Sequence, residues 1–144
     1  MRELLSIWYH DQRGVLMKLL VAALLAVFST SVMAEWTAVS FSDKQTTCAD
    51  LATIRKSGNK VKMWRLYDRK VAETVAANKP FLSIAGQDEY DCKEEISRTL
   101  TYTFYSKNMG AGEVVHNSRN LHEEPEPILP GSVAATLFKV ACGE

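Results

Sequence analysis

The sequence predicts an α+β domain: an antiparallel β-sheet of about six strands followed by one C-terminal α-helix. Three observations carry this. Apolar and polar residues alternate between Cys92 and Tyr105, the period of a half-buried strand. Turn signals separate short runs rich in β-branched and aromatic residues. Only at Val133–Ala141 does the apolar spacing change to that of a helix.

Trp36–Ser42 reads as the first strand, with Val39 and Phe41 on one face. Asp43-Lys44 turns the chain into a second strand at Gln45–Leu51, which contains Cys48. Ser57-Gly58-Asn59 is a strong turn signal. Val61–Lys70 follows as a third strand, with Val61, Met63 and Tyr67 on one side and Trp64 and Leu66 on the other. Apolar residues on both sides place that strand centrally, with each face at least partly covered. Val71–Asn78 fits a helical turn or a loop equally well. Pro80–Gln87 is the fourth strand, ending in an acidic turn at Asp88-Glu89.

The clearest strand comes next, with Cys92 at its start. Ile96, Leu100, Tyr102 and Phe104 share one face; Ser97, Thr99, Thr101, Thr103 and Tyr105 share the other. The threonines favour a pleated backbone, because each would lose χ1 freedom in a helix. Ser106–Gly112 supplies Asn and Gly for a turn, and Glu113–His116 returns as the partner of a hairpin. Residues 117–131 contain three prolines and read as an extended crossover, since proline cannot donate to a ladder. Ser132 is an N-cap, and Val133, Leu137 and Val140 or Ala141 form the stripe of a short amphipathic helix.

Residues 1–34 read as an address. Lys18 precedes an apolar run and then small residues, with Val32 and Ala34 at the −3 and −1 positions. This is the pattern of a signal peptide cleaved after Ala34. The unbroken run Leu19–Phe28 is shorter than the roughly 20 apolar residues of a spanning helix. Glu3 and Asp11 fit poorly in the basic region of a leader, so Met17-Lys18 is the better start and residues 1–16 read as a start-site artefact. No cysteine follows the cleavage point, so no lipid anchor is expected. The mature chain is expected to be soluble, in the periplasm or secreted.

Residues 35–144 suffice for one small domain. Of 17 basic and 17 acidic residues, Arg2, Arg13, Lys18, Glu3 and Asp11 precede it, which leaves a net charge of −1. Near-neutrality does not advertise a nucleic-acid partner. The three cysteines, Cys48, Cys92 and Cys142, all lie beyond residue 34. In an oxidising compartment an odd count suggests one disulfide and one free or intermolecular thiol, and all three pairings are open. Their wide spacing excludes a zinc motif.

His116 and His122, near Glu123 and Glu124, lack metal-ligand spacing and read as surface histidines. Asp91 beside Cys92 disfavours a thiolate there, so an activated thiol is not expected. Glu94-Glu95 reads as solvated. No Ser–His–acid set and no phosphate-binding glycine loop can be placed, so neither catalysis nor a cofactor is expected. Arg55, Lys56, Lys60, Lys62, Arg65, Arg69 and Lys70 lie within 16 residues, opposed there only by Asp68. Strand parity sends Arg65 and Arg69 opposite Lys62 and Lys70, which favours a solvated rim. Arg55, Lys56, Lys60 and Lys62 remain the candidates for binding a polyanion or an acidic protein.

One ordered set of residues resembles a known family. It comprises Gly58-Asn59 before Val61–Leu66 with Trp64, Tyr90-Asp91-Cys92-Lys93, Tyr105-Ser106, Met109-Gly110-x-Gly112-Glu113, Pro130-Gly131-Ser132 and Ala141-Cys142. The set is similar to the surface-adhesin protein E family of Gram-negative bacteria, over Trp36 to Cys142. The resemblance implies a C-terminal helix tied to the sheet by a disulfide between Cys92 and Cys142, which leaves Cys48 free or intermolecular. It also implies adhesion, because the family takes its name from an outer-membrane lipoprotein that binds host matrix proteins. This chain departs from that adhesin in lacking the lipid-anchor cysteine, and no binding residues carry over. Two functions follow as expectations. One is a binding module for a host matrix or envelope protein; the other is a periplasmic structural or assembly protein, as a homodimer through Cys48.

Overall fold

The computed structural model describes Lys18 and residues 34–75, 77–119 and 124–143. The expected leader, apart from Lys18 and Ala34, lies outside the described residues, as do His122 and Glu123. Six long strands form one antiparallel meander in chain order: β1 (Trp36–Phe41), β2 (Gln45–Ser57), β3 (Lys60–Val75), β4 (Lys79–Asp91), β5 (Ile96–Tyr105) and β6 (Val114–Arg119). A two-residue β7 (Glu126–Pro127) pairs with Ile96 and Ser97 at the outer edge of β5. The helix α1 (Val133–Cys142) ends the domain.

Four strands exceed their expected bounds: β6 runs past His116 to Arg119, into the stretch read as a crossover, by pairing with Thr101–Thr103, and the other three each have a physical reason. β2 reaches Ser57 because residues 51–54 bulge opposite Met63, after which pairing resumes at Arg55–Lys62. Thr53 Oγ1 stands in for the lost ladder there: it donates to the Asp50 carbonyl at 2.6 Å and accepts from the Trp64 N–H at 3.0 Å. The ambiguous stretch after Lys70 is strand as far as Val75, followed by a turn in which Ala77 and Asn78 adopt positive φ. β4 continues through Asp88 and Glu89, which are buried strand residues and not a turn. Cross-strand cations override the local preference of two adjacent acids for a loop.

Cys92 also lies outside the strand it was expected to start. It opens the turn from β4 to β5, where Asp91 Oδ1 accepts the N–H groups of Lys93 and Glu94 at 3.1 Å.

The alternation in β5 is broken at Leu100. Gln87 pairs with Thr101 and Asp88 with Thr99, so Leu100 is the extra residue of a bulge. The face assignment inverts across it. By register, Ser97 and Thr99 share a face with Tyr102 and Phe104, while Ile96 shares one with Thr101, Thr103 and Tyr105. A further bulge at Val39 places it against the helix-side core and leaves Phe41 exposed, so these two do not share an environment.

Both faces of the sheet are covered, as the third strand implied. On one face Ala49, Val61, Met63 and Tyr90 pack against Leu137, Phe138 and Ala141 of α1. Tyr90 and Phe138 meet edge to face with ring centroids 6.3 Å apart. On the other face Cys48, Leu66 and Ala85 cluster with Trp36 and Tyr105. A 3₁₀ turn at Asn108–Gly110 closes over that side. Ser83 Oγ holds this turn, donating to the Lys107 carbonyl at 2.6 Å and accepting the Gly110 N–H at 2.9 Å.

α1 is capped as its sequence implies. Ser132 Oγ accepts the Ala135 N–H at 3.1 Å, and Gly143 at φ 82° donates to the Lys139 carbonyl. A disulfide joins Cys92 to Cys142, with Cα atoms 5.8 Å apart and a separation of 50 positions in sequence. Cys48 is a free thiol, 3 % exposed.

Candidate functional site

The basic stretch is organised by the β2–β3 hairpin. Ser57 pairs with Lys60 and Arg55 with Lys62 across a two-residue turn that begins with Gly58 at φ +60°. Arg55, Lys60 and Lys62 therefore share the face away from α1. Lys56 pairs with Val61 and so lies on the helix side, separate from the other three candidates. Its Nζ comes near Gly143 at the helix C-terminus.

Glu89 centres the face away from α1. Lys60 Nζ lies 3.5 Å and Lys62 Nζ 3.8 Å from its carboxylate, and Arg98 Nη2 donates to it at 2.8 Å. Burial alone would push the Glu89 carboxyl up, but the Arg98 hydrogen bond and the charges of Arg98, Lys60 and Lys62 hold it below its ordinary range. Three cations around one acid leave a positive surface, and Arg55 extends it. Arg98 is absent from the sequence candidates because it is 36 positions away from Lys62; only the Glu89–Arg98 register brings it in. Arg69 pairs with Glu73 at 3.4 Å. Arg65 is buried on the opposite face.

That burial forms a second feature. Beneath the start of α1, side chains from β3, β4 and β5 floor a cleft of about 290 Å³. Asp88 is its polar centre: it accepts from Arg65 Nε at 2.8 Å, Tyr90 OH at 3.3 Å and Thr99 Oγ1 at 2.9 Å. Arg65 Cζ sits 4.2 Å from the Tyr67 ring centroid, in cation–π range. The guanidinium also lies against Gly86, where a Cβ would come within 3.0 Å of Cζ and Nη1. Arg65 Nη1 is buried and has no acceptor.

Burial followed by the Asp88 charge pushes the Tyr90 phenol well above its ordinary value. Burial does the same to Tyr67, against the opposing pull of Arg65. Burial disfavours the Arg65 cation, but Asp88 more than compensates and the group stays charged. These shifts all run away from neutral pH, the reverse of the tuning that general acid–base chemistry requires. The arrangement is one of fixed donors and acceptors, suited to recognition.

The remaining expected residues are dispersed. Cys48 lies on the face away from α1; burial and then Asp68 raise its thiol pKa. A disulfide from Cys48 to a second copy would require its packing against Leu66 and Ala85 to open. The His116 ring lies 5.7 Å from Phe104 and 6.1 Å from Tyr102. Among the described residues no group of three His, Cys, Asp or Glu gathers to hold a metal ion. No helix among the described residues is long and apolar enough to cross a membrane.

The sequence model of the surface-adhesin protein E family matches residues 36–143. No curated protein matches the chain in sequence. Among solved structures, a crystal form of Haemophilus influenzae protein E aligns with TM-score 0.58 and 12 % identity, covering 79 % of this chain and 91 % of that one. Its selenomethionine form aligns with TM-score 0.57 and 12 % identity over 79 % and 90 % of the two chains. Protein E from non-typeable Haemophilus influenzae gives TM-score 0.52 and 11 % identity, with 79 % of each chain covered. At such identity the likeness is one of fold.

Proposed function

This chain belongs to the surface-adhesin protein E family, and from that premise we propose that it is an exported, non-enzymatic binding protein that engages a host-matrix or cell-envelope protein. The observation that supports the reading is the positive surface of the β2–β3 hairpin. Lys60 and Lys62 have side chains 52 % and 48 % exposed, gathered with Arg98 around a single carboxylate. Such a surface accelerates encounter with an acidic partner and sets its orientation. The signal peptide cleaved after Ala34 supplies the export route in this reading.

The test is capture of the protein by an immobilised extracellular-matrix protein. Lys60→Glu with Lys62→Glu is expected to slow association at least tenfold and to remove its salt dependence. Lys56→Glu, across the sheet, should leave both unchanged. Undiminished capture by the double variant would overturn the role of the hairpin. Protease shaving of intact cells tests the address: a chain protected until the outer membrane is opened would replace the host partner with an envelope one.

A further inference from the structure

We propose that the face of the sheet away from α1 binds a sulfated polysaccharide laid across β3 to β6. Lys60, Lys62 and Arg119 meet its anionic groups, and Trp64 meets a sugar ring. The inference rests on the positive surface of the binding reading above and names what that surface takes.

Register assembles the site. β3 pairs with β4 without a break from Lys60 to Asp68, so Lys60, Lys62, Trp64 and Leu66 share this face with their partners. Arg55, Lys62, Glu89 and Arg98 are successive partners in a row across four strands. Trp64, Gln87, Thr101 and Arg119 form the next row and carry the face to the edge strand β6. The two rows lie about 7 Å apart along β3, and each step to the next strand is about 4.8 Å. Arg119 is exposed and has no ion pair among the described residues.

The ends of the first row are fixed. Arg55 Nη1 donates to the Ala52 and Ile54 carbonyls at 2.8 and 2.9 Å. Arg98 donates to Glu89 Oε1 through Nε at 3.1 Å and Nη2 at 2.8 Å. Glu89 is thereby spent on the Arg98 fork. Lys60 and Lys62, farther from it and half exposed, are left to an incoming anion.

Three observations select the partner. The first is shape. The 3₁₀ turn closes over the Leu66–Ser83 end of this face, and the recess between Lys60, Glu89 and Arg98 is only about 10 Å³. Such a face cannot enclose a small anion, but a polymer touches several of its cations at once. The second is the pair Trp64 and Gln87. The Trp64 indole N–H and the Gln87 amide have no hydrogen-bond partner in the chain, and neither is sealed from solvent. An indole offers an apolar ring with a donor at its rim. A sugar presents C–H groups and hydroxyls to match, and a run of acidic side chains does not. The third is the kind of cation left free. The forks of Arg55 and Arg98 are committed, and the lysine ammoniums bind tetrahedral oxyanions as point charges.

The experiment titrates the disulfide-intact protein calorimetrically with three probes: a heparin-derived octasaccharide, the same octasaccharide with its sulfates removed, and polyglutamate of equal charge. Saturable binding that weakens with salt is expected for the first, and binding about tenfold weaker or less for the others. Arg119→Glu, exposed on the edge strand, should weaken octasaccharide binding about threefold or more and reduce its salt dependence. Trp64→Leu keeps apolar bulk in the strand but loses the ring and the donor. It should weaken binding about fivefold with the salt dependence unchanged. Lys56→Glu, on the helix side, should change nothing. Polyglutamate binding as tightly as the octasaccharide would replace the polysaccharide with an acidic protein. Equal binding after desulfation, no binding at all, or wild-type affinity in both Arg119→Glu and Trp64→Leu would overturn the site. Matrix capture is measured on the same preparation. Capture without octasaccharide binding removes the polysaccharide site alone, and octasaccharide binding without capture removes the matrix-protein partner alone.

Discussion

Asp88 and Glu89 are neighbours on β4, and strand geometry sends them to opposite faces. Each organises a different surface. Asp88 compensates the buried Arg65, so Asp88→Ala would leave an uncompensated cation in the interior. It should cost about 3–5 kcal/mol in urea unfolding, the range for breaking a buried pair from one side. Glu89 acts through titration. Its folded-state pKa lies below the ordinary 4.5, so the stability it contributes is full above that value and is lost as pH falls through the depressed one. Glu89→Gln should therefore flatten the acid limb of the stability profile, below the ordinary carboxylate range, relative to the parent. Cys48 is packed between Leu66 and Ala85, with its thiol pKa raised. Alkylation followed by mass spectrometry should show no label on the native protein and one label per chain once it is unfolded.

At the scale of the element, α1 depends on attachment. Ten residues are fewer than an isolated helix needs to persist in water. Its Ser132 cap, its Leu137–Phe138–Ala141 stripe and its bond to Cys92 supply what length does not. Replacing Cys92 and Cys142 together with serine should destabilise the domain by about 2–4 kcal/mol. Hydrogen exchange should then rise in α1 before it rises in β3. The β2–β3 hairpin shows what was readable locally and what was not. Gly58-Asn59 announces its turn, and parity separates Arg65 from Lys62 without any structure. Residues 51–54 carry no comparable signal for their bulge, which depends on Thr53 bonding to β3. The Leu100 bulge in β5 was equally silent, and there the alternation of Ile96 with Tyr102 pointed to the wrong face.

At the scale of the molecule, a meander of neighbouring strands needs only sequential hairpins, so the order β1 to β6 follows the chain. The apolar residues on both sides of β3 already implied two covered faces. The covers are α1 on one side and the Asn108–Gly110 turn on the other. The cleft lies under the start of one cover and Lys60 and Lys62 lie on the opposite face, so the lysines can be mutated apart from the cleft, while Arg98 borders both. A variant carrying Lys60→Glu, Lys62→Glu and Ala134→Asp should show changes in unfolding free energy, measured in urea, that add within about 0.5 kcal/mol, as expected for sites that share no partner.

The sequence by itself determined the fold class, most of the turns, the capped helix and, through its ordered family residues, the Cys92–Cys142 bond. These follow from local periodicity, from turn chemistry and from a match that spans the whole domain. Only the tertiary structure decided that Asp88 and Glu89 are strand residues, that Arg98 joins Lys60 and Lys62, and that Arg65 ends beneath α1 with one nitrogen unpaired. The reason is register. A side chain's face depends on every bulge between it and its partner, and bulges at Val39, residues 51–54 and Leu100 are set by contacts between strands that no local window of sequence contains.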